Sequence, residues 1–105
     1  MKLIRTGRNK AINRMIKHNR EIREYSPSVD LLDWYAWPGG YPLFYMTKDN
    51  GVLCHKCANE NFTLVNNHAD EQWYIVEYDI NYEDDSMYCD NCSNQIESAY
   101  GENAD

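Results

Sequence analysis

The stretch Gly51-Val-Leu-Cys54-His-Lys-Cys57-Ala-Asn-Glu60, with its counterpart Ser86-Met-Tyr-Cys89-Asp-Asn-Cys92-Ser93, decides how this chain folds. Each carries a Cys-x-x-Cys pair, the pairs lie 31 residues apart (58 to 88), and together they use all four cysteines of the 105-residue chain. Two intervening residues let the backbone turn tightly and present two thiolates on one side of a knuckle. Two facing knuckles close a tetrahedron around one metal, with zinc-sulfur bonds of about 2.3 Å. The spacing therefore predicts structural zinc held by Cys54, Cys57, Cys89 and Cys92. With four thiolates in place no coordination position remains for water, so the motif argues for scaffolding and against metal catalysis.

Two other uses of the cysteines carry less weight. Disulfides need an oxidising destination, and the first 25 residues lack the apolar run and small-residue cleavage site of a secretory signal; the expected setting is cytoplasmic. A single iron in the same four thiolates would make a rubredoxin-like electron carrier. In such proteins a glycine usually follows each pair, bringing the backbone close to sulfur; here Ala58 and Ser93 hold those places.

Length and charge bound the rest. A chain of this size buries a modest share of its surface, so a metal staple is a natural source of stability. Structural zinc binds with an apparent free energy of about 10 to 16 kcal/mol, comparable to the whole net stability of a domain, about 5 to 15 kcal/mol. The net charge is −7, but it is unevenly spread. Residues 1 to 24 carry eight basic groups against Glu21 and Glu24, a net of +6, and residues 25 to 105 carry Lys48 and Lys56 against fifteen acidic groups, a net of −13. A zinc tetrathiolate adds a further charge of about −2 to the second part. The division expected is a basic helical arm, 1–25, on an acidic domain, 26–105.

Within the arm, Ile12, Met15, Ile16 and Ile22 recur at helical spacing with Asn19 at the intervening step. Thr6 or Asn9 suits the N-cap, and Ser26-Pro27 ends the pattern. The stripe is expected to dock on the body. The exposed cations, Arg14, Lys17 and Arg20 among them, form the electrostatic footprint of a nucleic-acid contact, which is the alternative role of the arm. No tryptophan or phenylalanine lies in it to anchor a membrane surface.

Residues 34 to 45 hold six aromatics around Pro38-Gly39-Gly40. Most of these rings suit a small hydrophobic core, while Trp34, Tyr35, Trp37 and Tyr41 are candidates for a partly exposed protein-binding platform. From Leu43 onward an all-β reading applies. Leu43 to Thr47 and Val52 to Cys54 flank Lys48-Asp49-Asn50-Gly51, a hairpin-turn signal. Asn66 to Glu71 is a polar loop. Trp73 to Tyr82 alternates strictly, with Tyr74, Val76, Tyr78, Ile80 and Tyr82 on one face and Trp73, Ile75, Glu77, Asp79 and Asn81 on the other. Gln95 to Tyr100 is expected as a short last strand. The class is α+β, mainly β: a zinc ribbon of two knuckles on antiparallel strands with an N-terminal helix.

Residues 34 to 102, about two thirds of the chain, carry Trp37-Pro-Gly-Gly-Tyr-Pro, Gly51-Val-Leu-Cys-His-Lys-Cys-Ala-Asn-Glu and Ile96-Glu-Ser-Ala-Tyr-Gly-Glu. In these the chain resembles a group of small zinc-ribbon proteins of bacteriophages and bacteria. The resemblance implies a phage or bacterial origin, the cytoplasm of a host cell and a ribbon fold; it supplies no activity, and the basic arm lies outside it.

Enzymatic chemistry finds little support. His18 lies in the basic helix, His55 within the first cysteine pair, where it is expected to face solvent or orient a sulfur, and His68 in the Asn-rich loop. No glycine-rich phosphate loop is present. The expected role is a non-enzymatic binding protein, a phage accessory factor engaging host transcription or defence machinery through its aromatic segment and acidic face.

Overall fold

A computed structural model describes residues 8–36 and 39–99. Thr6, one of two candidate N-caps, Trp37, a candidate partner-binding residue, and Tyr100, the expected end of the last strand, lie outside the described residues. The chain runs α1 (Lys10–Arg23), β1 (Tyr35–Ala36), β2 (Tyr41–Thr47), β3 (Val52–Cys54), α2 (His55–Glu60), α3 (Phe62–Val65) and β4 (Ile75–Ile80).

Helix α1 starts where Asn9, in an extended conformation, accepts a hydrogen bond from the Ala11 N–H through its side chain. Ile12, Met15, Ile16 and Asn19 are its buried residues, as the 3.6-residue period requires. Arg20 and Arg23 in the last turn complement the carbonyl end of the helix dipole. The helix is no detached arm: Ile12, Met15 and Ile16 share one core with Leu32, Leu43, Tyr45, Leu53, Val65, Ile75 and Ile96. Arg8 ties its entry to the body. The guanidinium donates to the Ile75 and Val65 carbonyls at 2.7 and 2.9 Å and to Asn66 Oδ1 at 2.7 Å, and lies 4.2 Å from the centre of the Tyr74 ring.

The sheet is antiparallel and built around β2, which pairs with β1, β3 and β4. Along β2, Leu43 and Thr47 donate to Trp34 and Gly51 on one edge, and the Pro42 carbonyl accepts from Asn81 on the other. Tyr45 on β2 is fully buried, and its hydroxyl donates to the Asp33 carbonyl at 2.6 Å. Burial raises its pKa.

The β2–β3 hairpin follows the expectation, with one refinement. Asn50, at φ 61°, takes the left-handed position, and Gly51 is required for another reason: a Cβ there would stand 2.8 Å from Thr47 Oγ1 and 3.1 Å from Asp90 Oδ2. Three expectations are corrected. The chain after Cys54 is not all-β, because it turns directly into α2 and α3. Residues 95–99 form no strand; an isolated bridge between Tyr88 and Gln95 stands in its place. The alternation of β4 does not divide buried from exposed faces at its start, where Tyr74, Ile75 and Val76 are all buried. There the chain before α1 covers the strand, Asn9 N–H donating to the Val76 carbonyl at 2.7 Å. Among the described residues no helix is long and apolar enough to cross a membrane.

Candidate metal centre

The four cysteines reach the site from two places that are 31 residues apart in sequence. Cys54 ends β3, half-buried at the last position of the strand. Its side chain then caps α2 by accepting from the Cys57 N–H at 3.5 Å, so the first pair forms at a strand-to-helix junction, unlike the simple knuckle expected. Cys89 and Cys92 lie on a turn. Asn91 N–H points at Cys89 Sγ from 3.4 Å, and Ser93, at φ 64°, donates its N–H to the Cys89 carbonyl. Left-handed geometry follows the second pair where glycine is the easiest residue, and here serine adopts it.

All four sulfurs lie within 4.8 Å of one another. No disulfide joins them. The Cys54 and Cys92 sulfurs stand 3.9 Å apart, close to the edge of a tetrahedron with metal-sulfur bonds of about 2.3 Å, which is about 3.8 Å. The donor set and spacing fit a tetrahedral thiolate metal. Cys57 and Cys89 are buried, and Cys54 and Cys92 are partly exposed, so one side of the cluster approaches the surface.

Two residues beside the ligands hold the halves together, and neither was singled out from sequence. Asp90 N–H donates to the Val52 carbonyl at 2.8 Å while Asp90 Oδ2 accepts from the Val52 N–H at 2.8 Å, a reciprocal clasp between the turn and β3. Asn91 Nδ2 points at Cys57 Sγ from 3.3 Å, one pair's loop supporting the other pair's sulfur. The available signal was the polar content of Cys-Asp-Asn-Cys, which knuckle spacing alone does not interpret.

The free thiols have unlike proton affinities. Burial pushes Cys57 up to about 12, against the hydrogen bond from Asn91. Burial likewise raises Cys54. At Cys89 burial also acts upward, but it is outweighed by the N–H groups of Cys54, Cys92 and Asn91 and by the Cys57 thiol, leaving the group lowered to about 7.

His55 lies outside the sulfur cluster, is half-buried, and makes no hydrogen bond to a sulfur among the described residues. Its ring is stacked on Trp34, centroids 4.4 Å apart at 24°, and Nδ1 is enclosed without a hydrogen-bond partner among the described residues. Burial lowers its pKa, with the Glu97 and Asp30 carboxylates opposing.

The remaining candidates are dispersed. Trp34 is 47% exposed and donates its indole N–H to Asp30 Oδ2 at 2.8 Å. Tyr35 is half-buried and its hydroxyl donates to Glu97, which raises its pKa through that bond first and burial second. Tyr41 packs against Tyr82 at 5.6 Å. Arg14 and Lys17 are exposed on α1, while Arg20 lies 5.8 Å from the Phe62 ring centre. Trp34 and Tyr35 thus sit against His55, which lies between Cys54 and Cys57 in sequence, and the cations lie on α1. Comparison with protein-family models, curated proteins and solved structures finds no match for the chain.

Proposed function

We propose that the four thiolates hold one structural zinc ion, and that the protein is a non-enzymatic zinc-ribbon module that binds another protein. The observation that carries this reading is the convergence of all four sulfurs within 4.8 Å. Zinc bound there would supply rigidity, locking the β3–α2 junction to the 89–92 turn, with no position left for substrate. A surface beside a closed metal centre serves recognition, and the acidic body suits a partner with a basic face. Extended to its setting, the reading is a phage accessory factor that engages a host protein through the aromatic segment and the acidic face. Metal analysis of the purified full chain tests the core of the proposal. One zinc per chain, and a cobalt-substituted form with the visible absorption of a tetrahedral tetrathiolate, are the expected results. Absence of any metal after folding in the presence of zinc would overturn it.

A rubredoxin-like iron centre is the second reading, since left-handed Ser93 takes, after the second pair, the backbone conformation that glycine adopts most easily. A red, redox-active protein in the same measurement would select it. Nucleic-acid binding through α1 rests on exposed Arg14 and Lys17.

A further inference from the structure

We infer that the groove between α2 and the Asp30 to Trp34 segment receives an arginine side chain from a basic segment of a partner protein. This rests on the reading of the protein as a binding module and names the chemistry of its partner. The groove has a volume of about 360 Å³ and is lined by Asp30, Trp34, Lys56, Asn59 and Glu60.

Trp34 is its recognition surface. One face of the indole lies on His55, its N–H is held by Asp30, and 47% of the residue remains exposed. A planar ring covered on one face and fixed at its edge offers the other face to a ligand. The opposite wall is as firmly set. Asn59 Oδ1 accepts from Leu32 N–H at 3.0 Å, and Asn59 Nδ2 donates to the Leu32 and His55 carbonyls at 2.9 Å, so helix and segment are bolted to each other. Binding therefore requires little ordering of the protein side.

Charge decides what the groove takes. Two carboxylates, Asp30 and Glu60, line the groove with one ammonium, Lys56, in a protein of net charge −7. Phosphates are repelled by that field, whereas a cation is drawn to it and gains from an indole face. Arginine suits the site better than lysine. Its guanidinium is flat, weakly hydrated and forked, so it can stack on Trp34 while donating to a carboxylate.

The test uses the ¹⁵N-labelled, zinc-loaded full chain at about 0.15 M salt, titrated with octa-arginine, octalysine and octathymidylate. Octa-arginine should shift the Trp34 indole N–H and the Lys56 and Glu60 amides, and octalysine should bind several-fold more weakly. Trp34→Ala and, independently, the exposed Glu60→Lys should each weaken octa-arginine by about tenfold, the scale of a partly desolvated cation-π contact. If Trp34→Ala fails to fold, Glu60→Lys decides. Unchanged affinity in the folded variants, equal binding of octalysine, or octathymidylate seated on Trp34 would each overturn the inference. Zinc content and melting temperature are measured on every sample. A zinc-loaded, folded protein with no response at Trp34 removes this inference alone, whereas a folded protein that takes up no metal removes the underlying reading.

Discussion

Asn81 shows how much one polar side chain can organise. It is 2% exposed at the foot of β4. Its Nδ2 donates to the carbonyls of Asp84 at 2.9 Å and Glu97 at 3.0 Å, and its Oδ1 accepts from Asp84 N–H at 3.1 Å. Its backbone meets Pro42 and Ala99. The turn after β4 and the segment 96–99 therefore both hang from this residue. Asn81→Ala should cost about 3 kcal/mol, because several buried backbone groups lose partners together; chemical denaturation of the zinc-loaded protein measures it. Strand alternation placed Asn81 on one face with Glu77 and Asp79 and gave no sign of its burial, since periodicity assigns a face and is blind to a chain that later folds back over it. The cysteines, by contrast, were legible one by one, because their spacing is a local requirement of the metal. Their protons yield a second prediction. A thiol whose pKa lies above the ambient pH is protonated in the metal-free protein and must release that proton to bind zinc. At pH 8, Cys54 and Cys57 are on that side, and Cys89, near 7, is mostly ionised. Zinc binding at pH 8 should release at least two protons per ion, rising as pH falls through 7 and Cys89 joins. Calorimetry in buffers of different ionisation enthalpy reads the number, and release of fewer than two would contradict the assigned affinities.

At the scale of elements, the candidate metal site is a meeting of β3, α2 and the 89–92 turn, and the Val52–Asp90 clasp ties the turn to β3. Gly51 belongs to the same arrangement, since a side chain there would push on Asp90 and Thr47. Asp90→Ala should leave one zinc per chain but lower its affinity by about 10- to 100-fold, the usual cost of losing support beside a metal ligand. Competition with a calibrated chelator measures this, and unchanged affinity would show that the clasp is incidental. Cys89→Ser should act differently, abolishing stoichiometric tight zinc and lowering the melting temperature, because a ligand is removed from a centre comparable in strength to the fold itself. The hairpin leading into Cys54 was legible because Lys48-Asp49-Asn50-Gly51 is local turn chemistry. Helices α2 and α3 were not: six and four residues are too few for a periodic pattern, and the signal that starts α2 is a cysteine acting as N-cap, a role hidden behind its role as ligand.

At the scale of the whole molecule, the +6 segment and the −13 segment fold around one core, with α1 supplying Ile12, Met15 and Ile16. Its helical period was readable and docking on the body was the expected use of it, although a stripe of four apolar residues has the same pattern whether it meets its own body or another chain. The docking changes how the role of α1 must be tested. Deleting residues 1 to 24 would remove core side chains and the Arg8 bonds to Ile75, Val65 and Asn66, so lost binding would report lost folding. Arg14 and Lys17 are exposed and stand apart from that core, and their joint reversal to glutamate changes the field over the helix without touching the packing. If recognition resides at Trp34, the double variant should keep its zinc, shift stability by less than about 1 kcal/mol, as surface substitutions usually do, and retain octa-arginine binding or tighten it. A single-stranded DNA complex formed through α1 would respond oppositely, losing affinity and about two units of salt dependence as two phosphate contacts disappear. Affinity measured across a salt series separates these outcomes, because only the helix-mediated complex carries Arg14 and Lys17 in its slope.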